Sequence, residues 1–180
     1  MVSTVKSIVT GFPFPTILPI VGEPNYKSLA VFHPQLTANS SSIQSHLGNG
    51  QLGWLAIVLS AAMYANLSAT PFVIPNNPGT GPIIQPFATA QAMATATSAF
   101  KEEKRLWNEY ITIDRALKQQ ILKAVEDKYT ISIRHHMTGY ANIRIREIIN
   151  HLLRTFGRIL PSELQENDQH FRTLYNPNEP

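Results

Sequence analysis

The chain has 180 residues, enough for one domain or one domain with arms, and a formal net charge of +3. It contains no cysteine, which excludes disulfides, iron–sulfur clusters and cysteine-based zinc knuckles and suits a reducing, cytoplasmic setting. Residues 1–100 carry only Lys6, Glu23 and Lys27, so nearly all charge falls in 101–180 and the two halves read as chemically different.

The opening MVSTVKSIVTGFPFPTILP has one lysine before apolar pieces broken by proline, a poor signal peptide. Residues 1–51 read as an irregular Pro/Gly/Ser-rich arm, with short strands near Ser28–Phe32 and a Gly-rich turn at its end. Residues 52–86 read as an apolar helix, LGWLAIVLSAAMYANL over Leu52–Leu67, followed by a Pro-rich linker. TPFVIPNNPGTGPIIQP keeps removing backbone donors there, so regular structure stops. Sixteen apolar residues would span about 24 Å as a helix, short of the roughly 30 Å membrane core, so a helix packed in protein is favoured over a membrane span through 52–72.

From residue 87 to 180 the pattern is helical. Leu106, Tyr110, Ile113, Leu117, Ile121 and Ala124 recur at spacings of three and four, one apolar helix face. Ile145, Ile148, Ile149, Leu152, Leu153 and Phe156 form a second, with Gly157 where a left-handed C-cap belongs. Ser162 and Gln165 after Pro161 make a capping box for a last short helix. The fold class is therefore mainly α: an irregular arm followed by a helical bundle.

GNGQLG, residues 48–53, matches the G-x-G-x-x-G of dinucleotide sites. That chemistry needs a preceding strand and an acid about twenty residues on for the ribose hydroxyls. ANSSSIQSH precedes it, and no Asp or Glu follows until Glu102, so no cofactor is expected. No Gly-Lys-Ser/Thr follows for a phosphate loop either. His135 and His136 are adjacent, and Glu147 and His151 are one helical turn apart, but no H-E-x-x-H occurs and no metal is expected. G-x-S-x-G is absent, Asp114, Asp127 and Asp168 sit in charged helical contexts, and Glu126–Asp127 reads as helix surface, so no enzyme is indicated.

A basic stretch remains. Lys128, Arg134, Arg144, Arg146, Arg154 and Arg158 face a single acid, Glu147, with Arg144, His151, Arg154 and Arg158 expected opposite the apolar stripe. One reading is a solvated helix face, with Glu147 offsetting Arg144 and His151. The other makes Arg134, Arg144, Arg146, Arg154 and Arg158 a weak phosphate-contacting surface.

Two segments resemble a known family. SIQSHLGNGQLGWLAIVLSAAMYANLSATPFVIPNNPG resembles the N-terminal part of Gag-like regions of copia-type LTR retrotransposons: a Gly-rich turn, an apolar helix with a Tyr, T-P-F and a Pro/Gly tract. ALKQQILKAVEDKYTISIRHHMTGYANIRIREIINHLLRTFGRILPSEL resembles the same family's capsid helices, ending at His151, Leu152, Phe156, Gly157 and Ile159 in the H-L-x-x-x-[YF]-G-x-I pattern. YNPNEP resembles the turn preceding later capsid helices, so the chain looks like an N-terminal, incomplete Gag fragment. The resemblance runs in order over about residues 40–180. It departs at Arg144, where the family often has a Ser or Thr cap, so that helix start is expected to fray. What the resemblance implies is a non-enzymatic structural protein that assembles with itself into a shell around RNA. Leu106, Tyr110, Leu152 and Phe156 would serve folding or assembly, with no small-molecule substrate. The alternatives are a helical protein-interaction module unrelated to transposition, or a membrane-associated protein using 52–72.

Overall fold

The computed structural model describes residues 4–159. It is mainly helical: α1 (Val5–Thr10), α2 (Tyr26–Ser42), α3 (Ala61–Ala65), α4 (Ala90–Ala124) and α5 (Ile145–Phe156), with short 3-10 turns at Gly48–Gly50 and Leu55–Ile57 between α2 and α3, and at Asp127–Tyr129 and Ile131–Ile133 between α4 and α5. Among the described residues no strand forms, and β pairing is limited to the His135–Gly139 bridge. The expected last helix after Pro161 lies outside the described residues.

The N-terminal stretch is not an irregular arm. Asn25 accepts from the Ser28 N–H at 2.9 Å while the Ser28 hydroxyl accepts from the Asn25 N–H at 2.9 Å, a reciprocal cap that starts α2. Leu29, Phe32 and Leu36 then recur at helical spacing and are buried, so Ser28–Phe32 is helix rather than strand. Pro34 interrupts one backbone hydrogen bond, but both it and Ala30 lie on the exposed side, where water can replace the bond. Burial of the opposite face outweighs that loss.

The segment from Phe12 to Ile20 is stitched to the helices by buried amides. Asn39, fully buried, accepts from the Phe14 N–H at 2.8 Å and donates to the Phe14 carbonyl at 2.8 Å and to Gln120 at 2.9 Å. Gln120 donates to the Phe14 and Pro15 carbonyls at 2.8 and 3.1 Å, and the Ile20 N–H donates to the Ala124 carbonyl at 2.7 Å. A proline-bearing segment cannot satisfy its own polar groups through regular structure, so side-chain amides from α2 and α4 do it instead.

Residues 52–67 do not form one helix. Gly53 has φ +54°, Leu55–Ile57 is a single 3-10 turn, and Ser60 is extended before it caps α3 by accepting from the Met63 N–H. Trp54 through Leu59 are buried one after another, so this run fills the core as a threaded segment, not as an amphipathic face. Among the described residues no helix is long and apolar enough to cross a membrane. Phe72, from the T-P-F piece, packs edge-on against Trp54 (5.6 Å) and Tyr64 (6.0 Å).

α4 is the axis of the fold. Its 35 residues reach roughly 52 Å at 1.5 Å per residue. Tyr110, Ile113, Ala116, Leu117, Ile121 and Ala124 are buried against α1, α2 and α5, whereas nothing from Ala90 to Glu109 is. Leu106 is thus not a core residue; it is half-exposed, one turn before the buried face begins at Tyr110. Tyr110 and Leu152 are in the core and Phe156 packs at its edge, as the sequence pattern predicts. Ile145, Ile148, Ile149 and Leu152 of α5 complete that core, each adding about 1.5–3 kcal/mol by burial, while Leu153 turns outward. Residues from all three sequence stretches share this one cluster, from Phe12 to Leu152.

Candidate nucleic-acid interface

Residues 140–147 and α4 are held together by a buried ion pair. Lys118 Nζ lies 3.1 Å from Asp114 Oδ2, both side chains less than a tenth exposed, and also donates to the Tyr140 carbonyl at 3.1 Å. Asp114 Oδ1 accepts from the Ile145 N–H at 3.1 Å, and Glu147 accepts from the Arg144 N–H at 3.2 Å. The start of α5 is therefore capped rather than frayed: the acceptor that Arg144 cannot supply comes from α4, one from outside the local sequence. At the other end Gly157 has φ −83°, not a left-handed cap. A glycine is still required, because a Cβ would stand 2.5 Å from the Leu153 carbonyl oxygen.

The turn between α4 and α5 is ordered by Tyr140 and Asp127. Tyr140 donates to Asp127 Oδ1 at 2.9 Å, and its hydroxyl is 2.8 Å from that of buried Thr130. Burial pushes the Tyr140 phenol above its ordinary value. Gly139 takes φ +58° to close the His135–Gly139 bridge.

The five arginines are not one surface. Arg134 is turned toward Asp127 at 3.5 Å, a loose exposed contact. Arg146 lies on the other side of α5, half-buried, and donates to the Ala56 carbonyl; burial pushes its guanidinium below its ordinary value. Arg146 thus ties α5 to the threaded apolar run and is withdrawn from the phosphate-contacting set. Arg144 and Arg154 are exposed, as is Arg158, which follows the end of α5. His151, expected on the solvent face, is half-buried with Nε2 2.9 Å from the Tyr129 carbonyl.

Arg144 instead faces a cleft of about 430 Å³ between α4 and residues 141–144. Trp107, Tyr110, Arg115, Asn142 and Asn77 share its lining, with the Asp114–Lys118 pair at its floor. Tyr110 lies 5.6 Å from Trp107 and stacks at 6.2 Å on Trp54, so the rings form a continuous row into the core. Trp107 and Arg115 were legible only as helix positions; their spacing through Ile111, at steps of four, was the available signal that one side of α4 carries both.

The glycines of GNGQLG serve the fold. Gly48, Asn49, Gly50 and Gly53 all have positive φ, and a Cβ on Gly53 would collide with the Ile43 and Ser41 carbonyl oxygens. Their turn follows α2 and brings Trp54 N–H onto the Ser40 carbonyl at 3.0 Å. Among the described residues no cluster of three His, Asp or Glu side chains that could hold a metal is formed.

No known protein family, curated protein or solved structure matches this chain.

Proposed function

We propose that the chain is a Gag-like structural protein of a copia-type retrotransposon, acting without enzymatic chemistry in the cytoplasm by associating with itself around RNA. The observation that carries this reading is the in-order resemblance over about residues 40–180, from the Gly-rich turn and T-P-F piece to the H-L-x-x-x-F-G-x-I end of α5. The mainly helical architecture agrees with it. So does α4, whose first five turns hold no buried residue and offer a long surface for another copy.

Light scattering over a concentration series tests the assembly half of this reading. The mass should rise above that of the monomer as concentration increases, and deletion of residues 87–104 should lower the oligomer fraction. A monomer at every concentration overturns self-assembly.

A further inference from the structure

We propose that the cleft between α4 and residues 141–144 holds one nucleotide of a single-stranded RNA, its base on Trp107 and its phosphate between Arg115 and Arg144. This deepens, and rests on, the RNA-binding part of the proposed function.

Size comes first: about 430 Å³ falls within the roughly 300–1,000 Å³ of clefts that take small organic groups. The platform comes next. Trp107 is half-buried and backed by Tyr110 at 5.6 Å, which Trp54 in turn holds at 6.2 Å, so the indole is fixed before any ligand arrives. Any base can stack on such a ring, which suits binding indifferent to sequence.

The charge balance selects an anion. On the cleft floor Asp114 and Lys118 neutralise one another at 3.1 Å, and both carboxylate oxygens are already engaged. That leaves Arg115 and Arg144, both exposed and neither ion-paired among the described residues, as the charges that set the sign. Glu147, three residues on, accepts from the Arg144 backbone N–H at 3.2 Å and offsets only part of this charge. Two guanidiniums at one mouth match a phosphodiester better than a neutral peptide.

Hydrogen-bonding groups complete the site. Asn77 uses its carbonyl oxygen on the Gly79 N–H at 3.0 Å, leaving its amide N–H groups for a base edge, and Asn142 is exposed on the opposite wall. A base reaches this depth only when unpaired, so the site selects single strands over duplex.

The test uses the full chain and a single-stranded oligoadenylate of about ten nucleotides, followed by tryptophan emission and filter binding. Trp54 is 1% exposed, so acrylamide reports mainly on Trp107. Bound RNA should shield Trp107 from acrylamide, and Trp107→Ala should weaken binding at least about fivefold, the low end for loss of one stacked base. Arg115→Ala with Arg144→Ala, both exposed side chains, should shallow the slope of log K against log salt by about 1.4, two contacts at about 0.7 each, with circular dichroism checking that the variant is folded. A duplex of the same length should compete poorly. RNA binding that is unchanged in both variants overturns the cleft and leaves general RNA binding standing. Absence of any RNA binding at low salt overturns both.

Discussion

Removing Asp114 should damage this protein more than its single charge suggests. In Asp114→Ala the Lys118 ammonium, only 8% exposed as a side chain, keeps one partner, the Tyr140 carbonyl. Breaking one side of a buried pair costs about 3–5 kcal/mol, because the remaining charge stays desolvated. The same change removes the acceptor for the Ile145 N–H, a cap contact of about 1 kcal/mol. The two losses share a site and overlap, so we expect about 4 kcal/mol, a large part of the 5–15 kcal/mol by which folded domains exceed their unfolded states. With a slope of about 2 kcal/mol/M, the urea midpoint should fall by roughly 2 M. Asp114→Ala combined with Lys118→Met removes the stranded charge and should recover about half of the loss. Urea titrations followed by circular dichroism measure all three proteins. If the single variant loses less than about 1 kcal/mol, or the double variant is no more stable than the single, the pair does not anchor α5 as described.

Three further outcomes are expected. Gly53→Ala should lower the melting temperature by about 4–8 °C, a cost of roughly 2 kcal/mol from strained φ plus collision with two carbonyls, whereas Gly79→Ala, also at positive φ but in open space, should cost less; equal losses would refute the steric argument. Burial holds His33 below its ordinary value of 6.5, so the unfolded chain takes up its proton more readily than the folded one; stability should be full above pH 6.5, decline as pH falls below it, and decline less in His33→Gln, as melting curves across this range will test. Amide exchange should be fast over residues 91–105 at low concentration and slow over 113–124, since only the second stretch is packed; uniform protection in a dilute monomer would contradict the exposed first half of α4.

Several features were open to reading from residue order alone. The buried face from Tyr110 to Ala124 and that of α5 follow the spacing of their apolar residues, because a helix that packs on one side repeats its contacts every three to four positions. The absence of a strand before GNGQLG likewise identifies its glycines as turn residues. α2 was hidden because Pro34 and a run of Ser, Thr and Asn lower its intrinsic helix preference, and Ser28 closes its cap where Glu or Gln is the usual signal.

What residue order determined by itself is the helical character of the second half and which faces of its two long helices are apolar; both depend on local periodicity. Tertiary structure alone decided the rest. The apolar run at 52–67 has the composition of a helix, yet Gly53 turns it and Ser60 breaks it, so it threads through a core that helices from both halves of the chain enclose. The same is true of the arginines. Local charge pattern grouped Arg144 with Arg146, but Arg144 is the extended residue before α5 and lines the Trp107 cleft, whereas Arg146 lies in the helix's first turn and is bound to the Ala56 carbonyl. Which element meets each face is settled by partners such as Ala56, Asp114 and Trp107, and the last two are 30 and 37 residues from Arg144 along the chain. Contacts at that separation leave no mark on local periodicity, because they arise only when the core closes.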